Sequence, residues 1–150
     1  LGARSNFSLL DGASHPEELV GTAAALGLAG LAVCDTNSLA GVVRTHVAAK
    51  QAGLRFVVGA RLVLDDGHQY LVWPADRAAY GRLTRLLSLG RTRAPKGACA
   101  IARDDLLDAA EGWAMAFLPP SNPDAAFADR LRADAADLRG RLALPLFCAA

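Results

Sequence analysis

Ser5-Asn6-Phe7-Ser8-Leu9-Leu10-Asp11-Gly12-Ala13-Ser14-His15-Pro16-Glu17-Glu18-Leu19 is answered further on by Ala32-Val33-Cys34-Asp35-Thr36-Asn37-Ser38-Leu39-Ala40-Gly41-Val42. Each block reads as a strand end, a polar loop and the entry to a helix. In the first, Ser14 and Glu17 spell the S-x-x-E capping box, which predicts a helix from about His15 to Gly27. In the second, Leu31 to Cys34 reads as a strand, and Asp35, Thr36, Asn37 and Ser38 are loop and N-cap residues before a helix from Leu39 to Ala52. A further strand is expected near Leu1 to Ser5. Strand, loop and helix in succession place loop side chains at one rim of a βα barrel, where active sites sit.

The alternation continues along the chain. Arg55 to Val58 reads as a strand, and Asp65-Asp66-Gly67 as a turn joining a hairpin of Arg61 to Leu64 with Gln69 to Trp73. A helix is expected from Asp76 to about Leu89, closed by Gly90 and followed by a basic loop. Asp104 to Ala110 reads as a short helix, Trp113 to Leu118 as a buried strand, Asp124 to Arg139 as a helix and Leu142 to Phe147 as a strand. Such alternation implies right-handed crossovers and a largely parallel α/β sheet with a β-hairpin insertion.

The sequence has 150 residues, 53% of them hydrophobic, and a formal net charge of +1, which fits one packed α/β domain over residues 1-150. No apolar run is long enough for a membrane span, and no targeting signal is visible. The three cysteines, Cys34, Cys99 and Cys148, are far apart and lack metal or redox spacing, so a reducing cytoplasm is the expected location. The glycines form neither a dinucleotide fingerprint nor a P-loop, and no serine sits in a G-x-S-x-G elbow. No catalytic or cofactor-binding residue is assigned on these grounds.

Ser5-Asn6-Phe7-Ser8, Gly12 to Leu19, Leu39 to Arg44, Val58-Gly59-Ala60 and Arg93-Ala94-Pro95-Lys96-Gly97 together resemble the N-terminal PHP (polymerase and histidinol phosphatase) domain of bacterial C-family DNA polymerases, of the DNA polymerase III alpha type, especially the error-prone, damage-tolerance branch. The resemblance covers about two thirds of the chain and thins after Gly97. It implies a distorted (βα)7 barrel, here incomplete, so the chain is expected to be an N-terminal fragment with an open sheet edge prone to association. It starts at Leu1 without Met and stops just after the expected last strand, which fits that expectation.

The resemblance also implies a metal cluster held in other members by a His-x-His pair, an Asp-His pair and a Glu. Aligned through the flanking phrases, those positions fall on Gly2 and Arg4, on Asp35 and Thr36, and on Arg61. Only Asp35 is retained. Glycine offers no donor and arginine stays charged, so the metal site is expected to be degenerate. Asp35 itself is expected to accept backbone N–H bonds at the start of the following helix. None of His15, His46 or His68 has a neighbour at ligand spacing; they read as helix entry, helix packing and turn.

A basic run of Arg77, Arg82, Arg85, Arg91, Arg93 and Lys96 stands out in a nearly neutral chain. Arg82, Arg85, Arg91, Arg93 and Lys96 are candidates for contact with a nucleic-acid backbone or a neighbouring domain, against the plainer reading of a solvated helix face. The resemblance implies that the parent protein is a DNA-directed DNA polymerase acting in replication and translesion repair with magnesium. This segment would then be structural and inactive alone, partnered by the rest of the polymerase chain and meeting DNA through the full-length protein. The alternatives are a PHP-type metal-dependent phosphoesterase and an interaction module for protein or nucleic acid.

Overall fold

The computed structural model describes residues 2–149. Its elements are α1 (Pro16–Ala25), β1 (Leu31–Thr36), α2 (Val42–Gln51), β2 (Phe56–Val63), β3 (Gln69–Pro74), α3 (Arg77–Arg93), α4 (Arg103–Ala109), β4 (Trp113–Leu118), α5 (Ala125–Asp137) and β5 (Phe147–Cys148). The strands are hydrogen-bonded in the order β1-β2-β3-β4-β5. β1/β2 and β4/β5 are parallel, and β3/β4 is antiparallel, giving the expected α/β class with a mixed, mostly parallel sheet. The chain divides into two compact units, Leu1–Arg61 and Leu62–Ala150.

In the first unit, Val20 and Ala23 of α1, Leu31 and Val33 of β1 and Ala49 of α2 form the core, with Leu19, Leu54 and Phe56 packed against it. Burial of these side chains drives the unit together at about 25 cal/mol per Å² of apolar area removed from water. On the surface, the Arg44 guanidinium of α2 grips Glu17 of α1 through Nε–Oε1 at 2.7 Å and Nη2–Oε2 at 3.1 Å. That hydrogen bond leads the causes that lower the Glu17 pKa.

In the second unit, Tyr70 of β3 stacks on Phe117 of β4 with ring centroids 4.5 Å apart, and Phe127 of α5 tilts against Phe117 at 4.9 Å. Trp113 is buried and donates its indole N–H to the Ala79 carbonyl of α3 at 2.9 Å. A wholly buried carboxylate, Asp134 of α5, accepts hydrogen bonds from the Tyr70 hydroxyl, from Arg103 Nε at 2.8 Å and from Arg130 Nε at 3.1 Å. Burial first, and then Asp134, push the Tyr70 hydroxyl well above its usual pKa. Charge-assisted donors of this kind are what make a buried carboxylate tolerable.

Several boundaries differ from the sequence expectation, each for a local reason. The α1 N-cap is His15, one residue after Ser14, because Pro16 occupies the first helical position and forces His15 into extended backbone. Glu18, not Glu17, accepts the cap N–H at 2.8 Å. α2 starts at Val42 instead of Leu39, since Asn37 turns the chain with φ +46° and the Ser38 hydroxyl accepts the Ala40 N–H at 3.1 Å. Its buried face carries Thr45 and Ala49, while Val43 and Val47 are exposed. Thr45 tolerates burial because its hydroxyl donates to the Gly41 carbonyl at 2.7 Å.

The segments expected separately as Arg55 to Val58 and Arg61 to Leu64 merge into the single strand β2. Gly90 does not end α3, which continues to Arg93 and so takes in Arg91 and Arg93. A Cβ at Gly90 would lie 2.7 Å from Cys99 Sγ and 2.8 Å from Ile101 Cγ1, so this glycine admits the returning chain. The last strand is only Phe147–Cys148, for Pro145 lacks an amide to donate within Leu142 to Phe147. The strand expected from Leu1 to Ser5 reduces to one parallel bridge, Ala3 to Val33, and Leu1 lies outside the described residues.

Gly81 and Gly90 lie on the same helix in opposite surroundings, since nothing approaches the Gly81 Cβ position within 4 Å. Urea unfolding is expected to show Gly90→Ala destabilising by about 1–3 kcal/mol, and Gly81→Ala neutral or stabilising by up to about 1 kcal/mol. Asp66 gives a pH test. Burial raises its pKa, but hydrogen bonds from Arg130 and His68 outweigh that and hold it at about 2. With an unfolded value of about 3.9, its contribution is complete above that pH and lost as pH falls toward 2. The urea midpoint gap between the native chain and Asp66→Asn should close over this window.

Candidate functional site

The register of β1 and β2 builds the site. Asp35 is paired with Ala60 and Thr36 with Arg61, while on the other side of β1 the Cys34 N–H donates to the Ala3 carbonyl at 2.7 Å. Residues 4 and 5, the end of β1 and Arg61 of β2 therefore lie together within the first unit.

Asp35 is at the centre and only 2% exposed. Its Oδ1 accepts the Ser5 N–H at 2.8 Å and the Ser8 hydroxyl at 2.8 Å, and its Oδ2 accepts the Ser5 hydroxyl at 2.8 Å. Ser8 Oγ in turn accepts the Thr36 N–H at 3.0 Å, and Ser5 Oγ accepts the Phe7 N–H at 3.3 Å. The expectation that Asp35 caps the next helix is corrected: it is a strand residue whose carboxylate binds the preceding loop. The fit is tight. A Cβ at Gly41 would lie 2.6 Å from Asp35 Oδ2, and one at Gly12 only 2.1 Å from the Ser5 carbonyl oxygen.

Beside this closed network lies a more open one. Arg4 Nη1 is ion-paired with Asp11 Oδ2, and Arg61 Nη1 stands 4.0 Å from the same oxygen. Thr36 Oγ1 is 3.5 Å from it. Burial, and then the neighbouring Arg4 charge, lower the Arg61 pKa against the opposing pull of Asp11. Gly2 is exposed and brings no side-chain donor. Arg4, Asp35, Thr36 and Arg61 are thus brought into one neighbourhood, but the donor set suits no divalent cation. Two guanidiniums repel it, and the Asp35 oxygens are engaged by serines. Among the described residues, no group of three or more His, Cys, Asp or Glu is placed to hold a metal ion.

The histidines stand elsewhere. His15 Nδ1 is 3.1 Å from Asn6 Nδ2, His46 is exposed with its ring 6.4 Å from Phe56, and His68 Nδ1 is 3.1 Å from Asp66 Oδ1. The basic run is partly spoken for within the second unit. Arg82 Nε donates to the Glu111 carbonyl at 2.9 Å, and Arg93 pairs with Asp105 at 2.5 Å. Arg85, Arg91 and Lys96 are exposed, and Arg85 borders a shallow groove lined by Leu86, Leu89, Asp105 and Asp108. Sequence reasoning missed Ser5, Ser8 and Asp11 as members of the site. The signal was a retained acid with two serines three residues apart in the loop before it.

The PHP domain family model matches residues 1–146, and the chain belongs to that family. It is 50% identical over 142 residues to an error-prone DNA polymerase of Caulobacter vibrioides, covering 94% of this chain and 13% of that protein. It is 51% identical over 112 residues to an error-prone DNA polymerase of Rhodopirellula baltica, covering 75% of this chain and 10% of that protein. The chain thus spans roughly an eighth or less of the length of these curated relatives. Among solved structures it is similar to an amidohydrolase from Chromobacterium violaceum, with TM-score 0.65 and 17% identity over 94% of this chain and 74% of that one. That structure is described as having bound sulfate and no metal. A protein from Bifidobacterium adolescentis, assigned as a metal-dependent phosphoesterase, matches with TM-score 0.65 and 15% identity over 89% of this chain and 74% of that one. At such identities the shared property is the fold.

If Asp35 holds the loop, its removal strands the Ser5 amide and two buried hydroxyls. Asp35→Ala is expected to cost about 3 kcal/mol or more and Ser8→Ala about 1–2 kcal/mol in urea unfolding. The double variant should fall short of their sum.

Proposed function

We propose that this chain is the N-terminal PHP segment of an error-prone DNA polymerase and acts there as a noncatalytic scaffold. The observation that carries the reading is half identity to such polymerases along nearly the whole chain, which is a small fraction of their length. Template-directed synthesis from deoxynucleoside triphosphates, with magnesium held by aspartates, then belongs to the rest of the parent chain. DNA is met through the full-length protein in the cytoplasm.

Two features support a scaffold over a hydrolase. Asp35, the retained position of the family's ligand set, is saturated by Ser5 and Ser8. Arg4 and Arg61 place positive charge where the resemblance puts ligands, and they pair with Asp11 instead. A degenerate metal site removes hydrolysis by this domain, which accords with a polymerase that tolerates errors. The phosphoesterase reading has the fold of its neighbours in its favour, but it needs ligands that Gly2, Arg4, Thr36 and Arg61 do not provide. On the second unit, Arg82, Arg85, Arg91, Arg93 and Lys96 are the basic side chains we assign to interdomain or phosphate-backbone contact.

The test is metal content of the purified chain by elemental analysis, together with melting in added zinc or manganese. The scaffold reading expects no stoichiometric metal and a melting temperature moved by less than about 1 °C. Bound metal at one or more per chain, or a rise of several degrees, would overturn it in favour of the phosphoesterase.

A further inference from the structure

Between Asp76 and Asp104 the chain carries seven cationic side chains and no acid, in a molecule whose formal net charge is +1. Three of the seven are drawn inward. Arg82 Nε donates to the Glu111 carbonyl at 2.9 Å, Arg93 pairs with Asp105 at 2.5 Å, and Arg103 Nη2 pairs with Asp134 at 2.7 Å. The other four, Arg77, Arg85, Arg91 and Lys96, are exposed.

α3 buries Ala79, Leu83, Leu86, Leu87 and Gly90, so helical periodicity puts Arg77, Gly81, Thr84, Ser88 and Arg91 in a row on its opposite side, with Arg85 beside them. The row is low. Nothing stands within 4 Å of a Cβ at Gly81, and Thr84 and Ser88 turn their hydroxyls onto the Gly81 and Thr84 carbonyls at 3.0 and 2.9 Å. A partner can therefore approach the helix itself between the arginines. Tyr80 and Leu89, 37% and 39% exposed, stand on the flanks. On the α4 side, Asp105 and Asp108 border the groove that Arg85 lines, and they limit the basic face in that direction.

A protein interface wants an apolar, charge-poor centre with its charges at the rim, and this row has the reverse. Guanidinium and hydroxyl groups along one face are the donors that phosphodiester oxygens take, with no reading of sequence. Arg77 and Arg91 are about 21 Å apart along the helix, which matches the axial rise of about six phosphates on one strand of a duplex. One half-exposed tyrosine is no stacking platform for a single strand. We propose that the outer face of α3, through Arg77, Arg85, Arg91 and Lys96, binds the phosphate backbone of duplex DNA without regard to sequence. The inference deepens the polymerase-segment reading and rests on it for the DNA to be met, and it commits the basic face to that one partner.

The experiment is fluorescence-anisotropy titration of the full chain against a labelled DNA duplex of about 20 base pairs and arbitrary sequence, in excess chelator, from about 25 to 200 mM salt. Saturable binding is expected, with log K falling against log salt at a slope of about −3 to −4. Arg77→Gln and Arg85→Gln should each weaken binding by about threefold to tenfold at the lowest salt and shallow the slope by about 1. Ser88→Glu, which sets a carboxylate in the row and removes no cation, should weaken it by about tenfold or more. Arg132→Gln removes the same charge from α5, where Arg132 is 74% exposed, and should leave binding unchanged. No saturable binding at the lowest salt overturns the proposal, as does an equal loss in Arg132→Gln and Arg85→Gln, or binding untouched by Ser88→Glu in a chain that still melts cooperatively. Tighter binding of a single strand of the same length also overturns it, and so does polyglutamate competing as well as DNA, which identifies an acidic protein surface as the partner. The scaffold reading fails separately: DNA cut by the chain once manganese replaces the chelator overturns that reading, whereas absence of binding overturns this inference alone.

Discussion

A carboxylate taken out of water must be surrounded by donors, and the first unit is organised around meeting that demand at Asp35. Ionised and unpaired, it would cost several kcal/mol. Three donors from Ser5 and Ser8 surround it, and so the loop after Ser5 is stapled to the end of β1. The staple has no slack. Gly41 and Gly12 are the residues that let neighbouring backbone come close enough, and Thr36 is drawn in through its amide. The second unit solves the same problem with different chemistry, burying Asp134 under Tyr70, Arg103 and Arg130.

On the scaffold reading proposed above, the Asp35 network would let a position to which the family resemblance assigns a metal ligand persist without metal. A carboxylate that holds the loop is retained by its structural contribution, whatever happens to the imidazoles and carboxylates around it. In this chain Arg4 and Arg61 gather at a loop acid, Asp11.

Much of this was legible in the sequence. Trp113 to Leu118 forms the expected strand, helices begin within a residue of the expected Asp76 and Asp124, and the family phrases around Ser5 and Gly41 pointed to the fold class. What was not legible depended on distant neighbours. Gly90 looks like a helix stop until Cys99 and Ile101 are seen against it. Asp35 sits among residues that favour caps locally, so nothing nearby reveals that its partners lie some 30 positions earlier. The pairing of Arg4 and Arg61 with Asp11 was hidden for the same reason, since each belongs to a different segment.

The central claim is that side-chain identity, and not a change of fold, removed the metal from this domain. It is tested most directly by elemental analysis of the native chain beside one carrying Gly2→His, Arg4→His, Thr36→His and Arg61→Glu, both purified with zinc and manganese present. Metal retained by the substituted chain and absent from the native one is the predicted result. Metal at equal stoichiometry in both would contradict the account.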